Sequence, residues 1–567
     1  MFLSQKFFFP FILSILILFT YWDLPKTFFQ QDEWWTFGQY VQNEQAYGGI
    51  EELIKSSKLI GKGHFTPLFN IIFFLQYKIF GMNFSLYALV SIFTHILNIF
   101  LAYIFANSIL KNKYLAILAS IFFATNSISH QAISWVSASL NTQGSTLFST
   151  LSYLTFFLYL KKENSRMLFI SFLSLIAALL FKEILAPFFI LPIMIFLYAK
   201  KDIKITLVKV LKPFSLIFFS YVLFRIVIFF LASPSVVNAV QAQHTGIYEF
   251  AFRIIILPFR AIAQSLIPSE ILLFLSENLI RLSYPQFIYS DNAVDPFIRE
   301  TIAYDLVCFF ISVIILFLSY VSCIFFKKKN EIFLRGIILF LSVIIFSLIV
   351  IILISGRAGF VSLIEPRHFY VGSLGSSTFL ILVLFGLFSL LFKQKAKFIL
   401  TAILIPILLI NIAIIKNDIS GLESIGSIRK KILMDIKEDY PRIPKNIVLY
   451  TQSDTAYYGM PDDEKILPVQ VGFGWMILSW YNEKGSFPPC MYDQKLFLHL
   501  LSQGYKECSG RSFGYFRNYE KLMESVEKYN IPYENIIAYL WKNDVKKLTN
   551  ASVLIRHKLK KDLEIKL

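Results

Sequence analysis

One uncharged, apolar segment, residues 372–392, reads GSLGSSTFLILVLFGLFSLLF. A helix needs about 20 mostly apolar residues to cross a bilayer, so this segment predicts a membrane-spanning helix. Lysines follow it at positions 393, 395 and 397, and the positive-inside rule makes that end cytoplasmic. The opposite end, which carries Glu365 and Arg367, is therefore predicted to face the outside of the cell.

The composition of the whole chain supports a membrane protein. The 567 residues are 56% hydrophobic and only 16% charged, with a mean hydropathy of +0.61. A soluble domain is about a quarter charged, so the composition excludes an ordinary soluble enzyme, a disordered chain and a nucleic-acid binder. The formal net charge of +17 is interpreted as loop charge that orients helices.

Apolar segments predict about eleven spanning helices in all, counting the one quoted above. The others are Phe7–Trp22, Phe84–Leu110, Tyr114–Thr125, Gly144–Leu160, Met167–Phe181, Ile184–Ala199, Pro213–Ala232, Thr301–Phe326, Ile332–Ser355 and Phe398–Ile415. The charged stretch 250–282 is expected to form interfacial or re-entrant helices on the outer face, because protein can cover irregular backbone there. A spanning hairpin in that stretch would raise the number to about thirteen.

Basic clusters between the spans orient the chain. If the spans alternate, all clusters lie on one side, which is the cytoplasmic side. The clusters are Lys111 with Lys113; Lys161, Lys162 and Arg166; Lys200, Lys201, Lys204 and Lys209; Lys327, Lys328 and Lys329; and Lys393, Lys395 and Lys397. This places the N-terminus in the cytoplasm, and the first loop and the C-terminal tail outside.

The predicted fold is an α-helical polytopic membrane protein with a small extracytoplasmic α/β domain at its C-terminus. The transmembrane domain is expected to cover residues 1–415, with a first extracytoplasmic loop at 23–83. Residues 416–567 form the second domain, with a strand at 447–450 and helices at 492–502 and 519–530. Its location permits a disulfide, so Cys490 and Cys508 are candidates.

Some conspicuous side chains have a structural interpretation. Cys308 and Cys323 lie inside a predicted spanning helix and are expected to fill its core. Trp475, Trp480 and Tyr481 either stack on sugar rings or form the core of the C-terminal domain, and the core is the favoured interpretation.

An acidic pair, Asp32-Glu33, stands in the first outside loop, beside Trp34 and Trp35. A carboxylate there can accept a proton from an attacking hydroxyl, or hold a divalent metal that neutralises a leaving phosphate. The alternative is a solvated loop that happens to be acidic. The two tryptophans are expected to anchor the loop at the lipid surface.

Further polar side chains cluster in the outward turns. Lys182 and Glu183 form a charged turn between two apolar helices, which marks a functional candidate unless the pair only signals the membrane interface. Arg367 has a guanidinium suited to a phosphate, or it simply snorkels at a helix end. The remaining candidates are His64, His130, Glu365, His368 and Tyr370.

The sequence contains no glycine-rich nucleotide loop and no paired Cys/His metal spacing. A transferase on the outer face has no nucleotide supply. Its donor would therefore have to arrive on a lipid.

The ordered set of outward motifs resembles the GT-C superfamily of polytopic glycosyltransferases, and most closely its protein O-mannosyltransferase-like branch. The resemblance covers about residues 1–392. Thr66 stands where the family has a double proline. The matching segments are Asp32-Glu33, His64 with Pro67-Leu68, Phe80–Asn83, Thr94–Asn98, Asn126–Ala138, Lys182-Glu183, and Glu365, Arg367 and Tyr370 followed by Gly375.

The resemblance implies a GT-C fold and a polyprenyl-phosphate sugar as donor, with a protein, lipid or glycan as acceptor and membrane lipids as surroundings. Asp32 would be the catalytic base, and Glu33 would support it or share a metal. The donor and substrate-binding residues would be His64, His130, Lys182, Glu183, Glu365, Arg367, His368 and Tyr370. The superfamily contains metal-dependent and metal-independent members, so Mg or Mn on Asp32 and Glu33 stays an alternative. In a bacterial cell the protein would occupy the cytoplasmic (inner) membrane.

Two other functions fit a polytopic membrane protein. A transporter or flippase for lipid-linked glycans would place charged residues within its spans, whereas these spans are interpreted as nearly free of charge apart from Arg225. A non-catalytic assembly protein would leave the outward polar residues unexplained. The transferase is therefore the favoured hypothesis.

Overall fold

The chain folds mainly into helices. The computed structural model describes residues 5–57, 65–199, 203–231, 247–283, 298, 301–353, 364–455, 465–468, 473–481, 503–508 and 510–566. His64, Cys490 and the expected helix at 492–502 lie outside the described residues.

The helices up to residue 439 are numbered in chain order. They are α1 (Gln5–Thr20), α2 (Gln31–Ala46), α3 (Gly49–Ser56), α4 (Pro67–Phe80), α5 (Phe84–Leu110), α6 (Lys113–Ala124), α7 (Gln131–Ser134), α8 (Val136–Lys162), α9 (Ser165–Phe181), α10 (Ala186–Tyr198), α11 (Ile203–Leu231), α12 (Ile247–Leu266), α13 (Ser269–Ser283), α14 (Ile302–Lys329), α15 (Glu331–Ser347), α16 (Tyr370–Phe392) and α17 (Ala396–Asp439). A short 3-10 helix, Pro366–Phe369, precedes α16. Each expected span overlaps one of these helices.

Apolar helices long enough to cross a bilayer make the protein membrane-embedded. Within the described residues, five segments meet the criteria of length and composition: Phe84–Leu110, Leu207–Val227, Ile302–Lys327, Glu331–Ile351 and one within Pro366–Asp439. Four further apolar helices, α4, α6, α9 and α10, have only 10–17 residues. They are shorter than the about 20 residues that a span needs, so the count by length is lower than the expected eleven.

The charged stretch at 250–282 forms the two helices α12 and α13. Neither is among the segments that could cross a membrane by length and composition. Arg260 of α12 is fully buried and pairs with the buried Asp305 of α14. Asp305 lies within an expected span and is, besides Arg225, another exception to the nearly charge-free spans.

Contacts divide the chain into two compact units. Unit one comprises residues 1–24, 57–73 and 86–419, and unit two comprises 25–56, 74–85 and 420–567. Tight helix packing shapes the core of unit one: a Cβ added at Gly375 of α16 would lie 2.7 Å from the Phe340 carbonyl oxygen on α15. In α8, buried hydroxyls such as Thr146 and Thr150 donate to carbonyls of their own helix, which lets a polar helix lie inside the unit.

Unit two contains a five-stranded sheet. The elements are β1 (Asn446–Ser453), α18 (Phe473–Tyr481), β2 (Gly504–Cys508), β3 (Arg511–Phe516), α19 (Tyr519–Tyr529), β4 (Ile536–Lys542), β5 (Lys547–Asn550) and α20 (Ser552–Lys566). The strand order is β2-β3-β1-β4-β5, with parallel pairing around β1 and antiparallel pairing at both edges. The predicted strand at 447–450 and the predicted helix at 519–530 are both confirmed.

Helix α2 packs on α18 within unit two. A Cβ at Gly38 would lie 2.1 Å from the Trp475 ring, so only glycine permits this contact. Trp34 is buried against Phe28 and Phe29, and its carbonyl accepts a hydrogen bond from Ser479. The prediction that Trp34 anchors a loop in lipid is therefore wrong, because the ring belongs to a protein core. Trp475 is also buried, as expected for a core residue.

Three of the four cysteines lie within the described residues, and Cys323 among them is only partly buried. Cys508 at the end of β2 forms a disulfide. Cys308 and Cys323 are free thiols on α14, and Cys308 is buried in the core as expected.

Candidate functional site

The turn after α9 brings Lys182 to the interior of unit one. The Lys182 ammonium donates a hydrogen bond of 2.9 Å to Thr142 Oγ1 on α8. Close approach of the two helices makes this bond possible, since a Cβ at Gly144 would lie 2.5 Å from the Phe181 ring. Lys182, at the end of α9, is therefore held in place by Thr142 on the side of α8.

Glu183, the next residue, connects two other segments of unit one. Its Oε1 accepts a 2.9 Å hydrogen bond from the Phe65 backbone N–H, and Arg225 Nη2 lies 2.7 Å from the same oxygen. Phe65 directly follows His64, which lies outside the described residues. Glu183 thus orients Arg225, near the end of α11, toward the Lys182-Glu183 turn.

Three residues hold Arg367 in place, two through its side chain and one through its backbone. It forms an ion pair with Glu365, and its guanidinium carbon lies 4.2 Å from the centroid of the Trp135 ring. Its backbone N–H donates to Gln131 Oε1 at 3.3 Å. An aromatic face and a carboxylate together hold a guanidinium in one plane, which suits a planar ion for binding a phosphate.

Lys182 and Arg367 are close enough to influence each other. Burial lowers the pKa of Lys182 to about 7, and the positive charge of Arg367 adds to that decrease. Glu365 and Glu183 oppose the decrease in pKa without cancelling it. An anion close to this turn would favour the protonated form of Lys182.

His130 lies beside a separate cleft of unit one. Its Nε2 lies 3.1 Å from Asp418 Oδ2, and its Nδ1 lies 2.6 Å from the Ser127 carbonyl oxygen. The cleft has a volume of about 190 Å³. Its lining residues are Ser127, Ile128, His130, Pro268, Ser269, Glu270, Pro366, Ile414 and Asp418.

Tyr370 and His368 occupy different environments on the same segment. The Tyr370 hydroxyl is buried and lies 2.7 Å from His95 Nδ1, while His95 Nε2 lies 3.1 Å from the Ala124 carbonyl. This arrangement ties α16 to α5. His368 is partly exposed.

Asp32 and Glu33 belong to unit two, in the first turn of α2. Asp32 is exposed, whereas Glu33 is fully buried and its Oε2 accepts the Gln30 backbone N–H at 3.2 Å. A carboxylate at this position satisfies a free N–H and complements the helix dipole. The structure therefore gives Glu33 the role of a helix cap.

A metal shared by Asp32 and Glu33 does not fit this geometry. Consecutive residues of a helix do not face each other, and one of the two carboxylates is already used by the backbone. Among the described residues no group of three or more His, Cys, Asp and Glu side chains could hold a metal ion.

The structure thus brings together, within unit one, the predicted residues Lys182, Glu183, Glu365 and Arg367. Sequence reasoning missed their supports Thr142, Gln131 and Trp135, as well as Asp418 beside His130. An uncommon acid just after a spanning segment was the signal available for Asp418. The others carried none, because threonine, glutamine and tryptophan are common in and beside helices.

Comparison of the sequence with models of known protein families and with curated proteins gives no match.

Proposed function

We propose that the chain is a glycosyltransferase that moves a sugar from a polyprenyl-phosphate donor to a hydroxyl acceptor on the extracytoplasmic face. The observation that carries the proposal is the charged cluster at the turn between α9 and α10. Among the described residues, this cluster contains three basic side chains and two carboxylates, an excess of one when all are charged: Lys182, Arg225 and Arg367 against Glu183 and Glu365.

This charge pattern suits a phosphate on a lipid. The cluster stands where apolar helices end, so a polyprenyl chain can lie along the helices while its phosphate reaches the cations. Charged hydrogen bonds from a fixed guanidinium are stronger than those between neutral groups. The same cations offset the charge that grows on the phosphate as it leaves.

The proposed reaction is a single displacement. The acceptor oxygen forms a bond to the anomeric carbon while the bond from that carbon to the phosphate oxygen breaks. The electron pair of the broken bond stays on the polyprenyl phosphate, and the acceptor proton passes to a base. Asp32 is the proposed base, because it is the exposed carboxylate of the acidic pair that resembles the family motif. No step of this scheme runs through a metal.

The proposed location is the inner membrane of a bacterium, with the N-terminus in the cytoplasm and unit two outside. The disulfide of Cys508 supports this orientation, since disulfides persist in oxidising compartments. The lysine clusters at the C-terminal ends of α8, α14 and α16 support it as well.

The test is to incubate purified protein in lipid nanodiscs with defined polyprenyl-phosphate sugars and to measure released polyprenyl phosphate. We expect release by the wild type and a loss of about 100-fold or more in Asp32→Asn, the range for a missing general base. Glu51→Gln, which removes another exposed acid of unit two, is the matched control and should keep its activity. Full activity of Asp32→Asn would refute the assignment of the base.

One observation favours the flippase as a second candidate. The buried pair of Arg260 and Asp305 lies among apolar helices, and charged residues at membrane depth often mark transport paths. Transfer of a fluorescent lipid-linked sugar between liposome leaflets without release of polyprenyl phosphate would support the flippase and contradict the transferase.

A further inference from the structure

The cleft beside His130 lies next to the charged cluster that contains Lys182 and Arg367, but its lining has a different charge. The segment Pro366-Arg367 contributes to both places. Pro366 lines the cleft, and the next residue, Arg367, belongs to the cationic cluster. The short helix α7 also connects them: His130 at its start lines the cleft, and Trp135 at its end lies under the Arg367 guanidinium. The two places are thus neighbours built on shared backbone.

In the part of the chain that the structure describes, the charged groups that line the cleft are two carboxylates, Asp418 and Glu270, and one imidazole, His130. Even when the imidazole is protonated, the carboxylates outnumber it by one (2 − 1 = 1). Such a lining repels a phosphate. The cleft therefore does not suit the donor head group or any other anion.

The same lining suits a sugar ring. The carboxylates of Asp418 and Glu270 can accept hydrogen bonds from sugar hydroxyls, while isoleucine and proline side chains offer apolar contact to the C–H face of a ring. The volume of about 190 Å³ is adequate for one sugar ring. His130 is anchored by the Ser127 carbonyl and by Asp418, so its position is fixed before any ligand binds.

Asp418 has one carboxylate oxygen to offer. Its Oδ2 lies against His130, and the described residues give Oδ1 no partner. Its side chain is 42% exposed although it lines the cleft. This oxygen can accept a hydrogen bond from a ligand hydroxyl.

We infer that this cleft is the acceptor subsite of the proposed transferase and that it takes an uncharged sugar, so that the acceptor is a glycan. The inference rests on the proposed function, which supplies the reaction. It goes further by choosing among acceptors: a neutral glycan fits the lining, and an acceptor phosphorylated at this ring does not. Asp418 is the binding residue for its hydroxyls, and His130 is a positioning residue that holds Asp418.

The test measures binding separately from turnover. Saturation-transfer NMR measures the binding of octyl glucoside to protein held in nanodiscs. The signal is compared with that of a methyl-capped analogue, which has no free hydroxyl. We expect the signal of the sugar protons with wild type and a decrease of about tenfold in affinity for Asp418→Asn, the loss typical of a hydrogen bond to a charged group. Glu423→Gln, which removes another acid of α17 outside the cleft lining, should bind as wild type does.

The kinetic arm uses a polyprenyl-phosphate hexose and octyl glucoside. Asp418→Asn should raise the KM for the glucoside about tenfold and change the KM for the donor by less than about twofold. Glu270→Gln, which removes the other carboxylate that lines the cleft, serves as a second variant. Melting curves of Asp418→Asn and Glu270→Gln check that both fold.

The outcomes separate the two proposals. If wild type releases no polyprenyl phosphate but binds the glucoside through Asp418, the proposed function fails and the sugar subsite stands. Equal glucoside binding in wild type and Asp418→Asn overturns the subsite. Transfer to a serine-containing peptide with no transfer to the glucoside overturns it as well.

Discussion

Unit one contains two charged clusters that differ in their access to solvent. The side chains of Arg260 and Asp305 are 0% and 1% exposed, whereas those of Arg367 and Glu365 are 19% and 36% exposed. The first pair is sealed among helices and also contacts Tyr304, whose hydroxyl accepts a hydrogen bond from Gln264. The second has further cations, Lys182 and Arg225, around it. A sealed, balanced pair is expected to hold helices together, and an open cluster with surplus positive charge is expected to bind an anion.

The largest expected effect is on stability. Asp305→Ala leaves a buried guanidinium without its partner, so we expect it to lower the free energy of unfolding by about 3–5 kcal/mol. Arg367→Ala acts at a partly exposed pair and should cost about 1 kcal/mol or less. Denaturant titration in detergent micelles measures both. Equal losses in the two variants would remove the distinction between the clusters.

A double variant sharpens this prediction. Replacing Arg260 by Met and Asp305 by Leu removes both charges and keeps apolar volume. We expect stability within about 2 kcal/mol of wild type, because apolar residues can replace a buried pair at little cost. If catalysis is lost although this variant is stable, the pair takes part in function.

The next effect concerns activity. Arg367→Ala should lower kcat/KM with a polyprenyl-phosphate sugar by about 30-fold or more, since it removes a charged hydrogen bond to the phosphate. The kcat/KM of Arg367→Lys should lie between those of wild type and Arg367→Ala, because an ammonium keeps the charge but not the planar contact with Trp135. Arg281→Ala, at an exposed i,i+4 pair of α13, is the control and should act as wild type. Unchanged kinetics in Arg367→Ala would argue against the phosphate site.

Lys182 predicts a pH dependence. Its pKa is lowered to about 7, so in the free protein the ammonium is largely present at pH 6 and largely lost at pH 8. The phosphate needs the protonated form, and we expect the donor KM to rise as pH increases above about 7, by up to about tenfold per unit. Lys182→Met should raise the KM at pH 6 and abolish this part of the pH dependence. A flat wild-type profile from pH 6 to 8 would contradict the assignment.

The lowered pKa of Lys182 also affects the stability of the folded protein. A lysine whose pKa falls on folding makes the unfolded chain bind more protons than the folded one between about pH 7 and the ordinary lysine pKa. Stability should therefore rise with pH across that interval in wild type. Lys182→Met should lack this contribution in the same denaturant titrations.

The smallest effect is expected at a surface pair. Glu331 and Arg335 are four residues apart on α15 and their side chains are 68% and 39% exposed. Glu331→Gln should change the free energy of unfolding by about 0.5 kcal/mol or less. A loss comparable to that of Asp305→Ala would mean that burial does not determine the energy of charged pairs here.

Local patterns in the sequence predicted the secondary structure well where apolar runs were long. The segment Phe84–Leu110 became a helix, and residues 447–450 became part of the central strand of the sheet. These elements can be predicted because their pattern lies within a few consecutive residues. The shorter apolar helices show the limit of this reasoning, since length alone does not reveal whether α9 or α10 crosses the membrane.

Long-range contacts were beyond the sequence. The packing of Gly38 on Trp475 joins residues more than 400 positions apart, and no local pattern encodes it. It converts the expected loop around Asp32 into a helix with a buried tryptophan. The pairing of Glu183 with Arg225 and of His130 with Asp418 was hidden for the same reason. The sequence could identify candidate charges and could not choose their partners.

The most direct test of the central claim is a binding measurement with protein in nanodiscs, using polyprenyl phosphate and the uncharged polyprenol of the same length. If Arg367 and Lys182 hold a phosphate, wild type binds polyprenyl phosphate at least about tenfold more tightly than polyprenol, and Arg367→Ala loses that preference. Equal affinity of wild type for the phosphate and the alcohol would contradict the account.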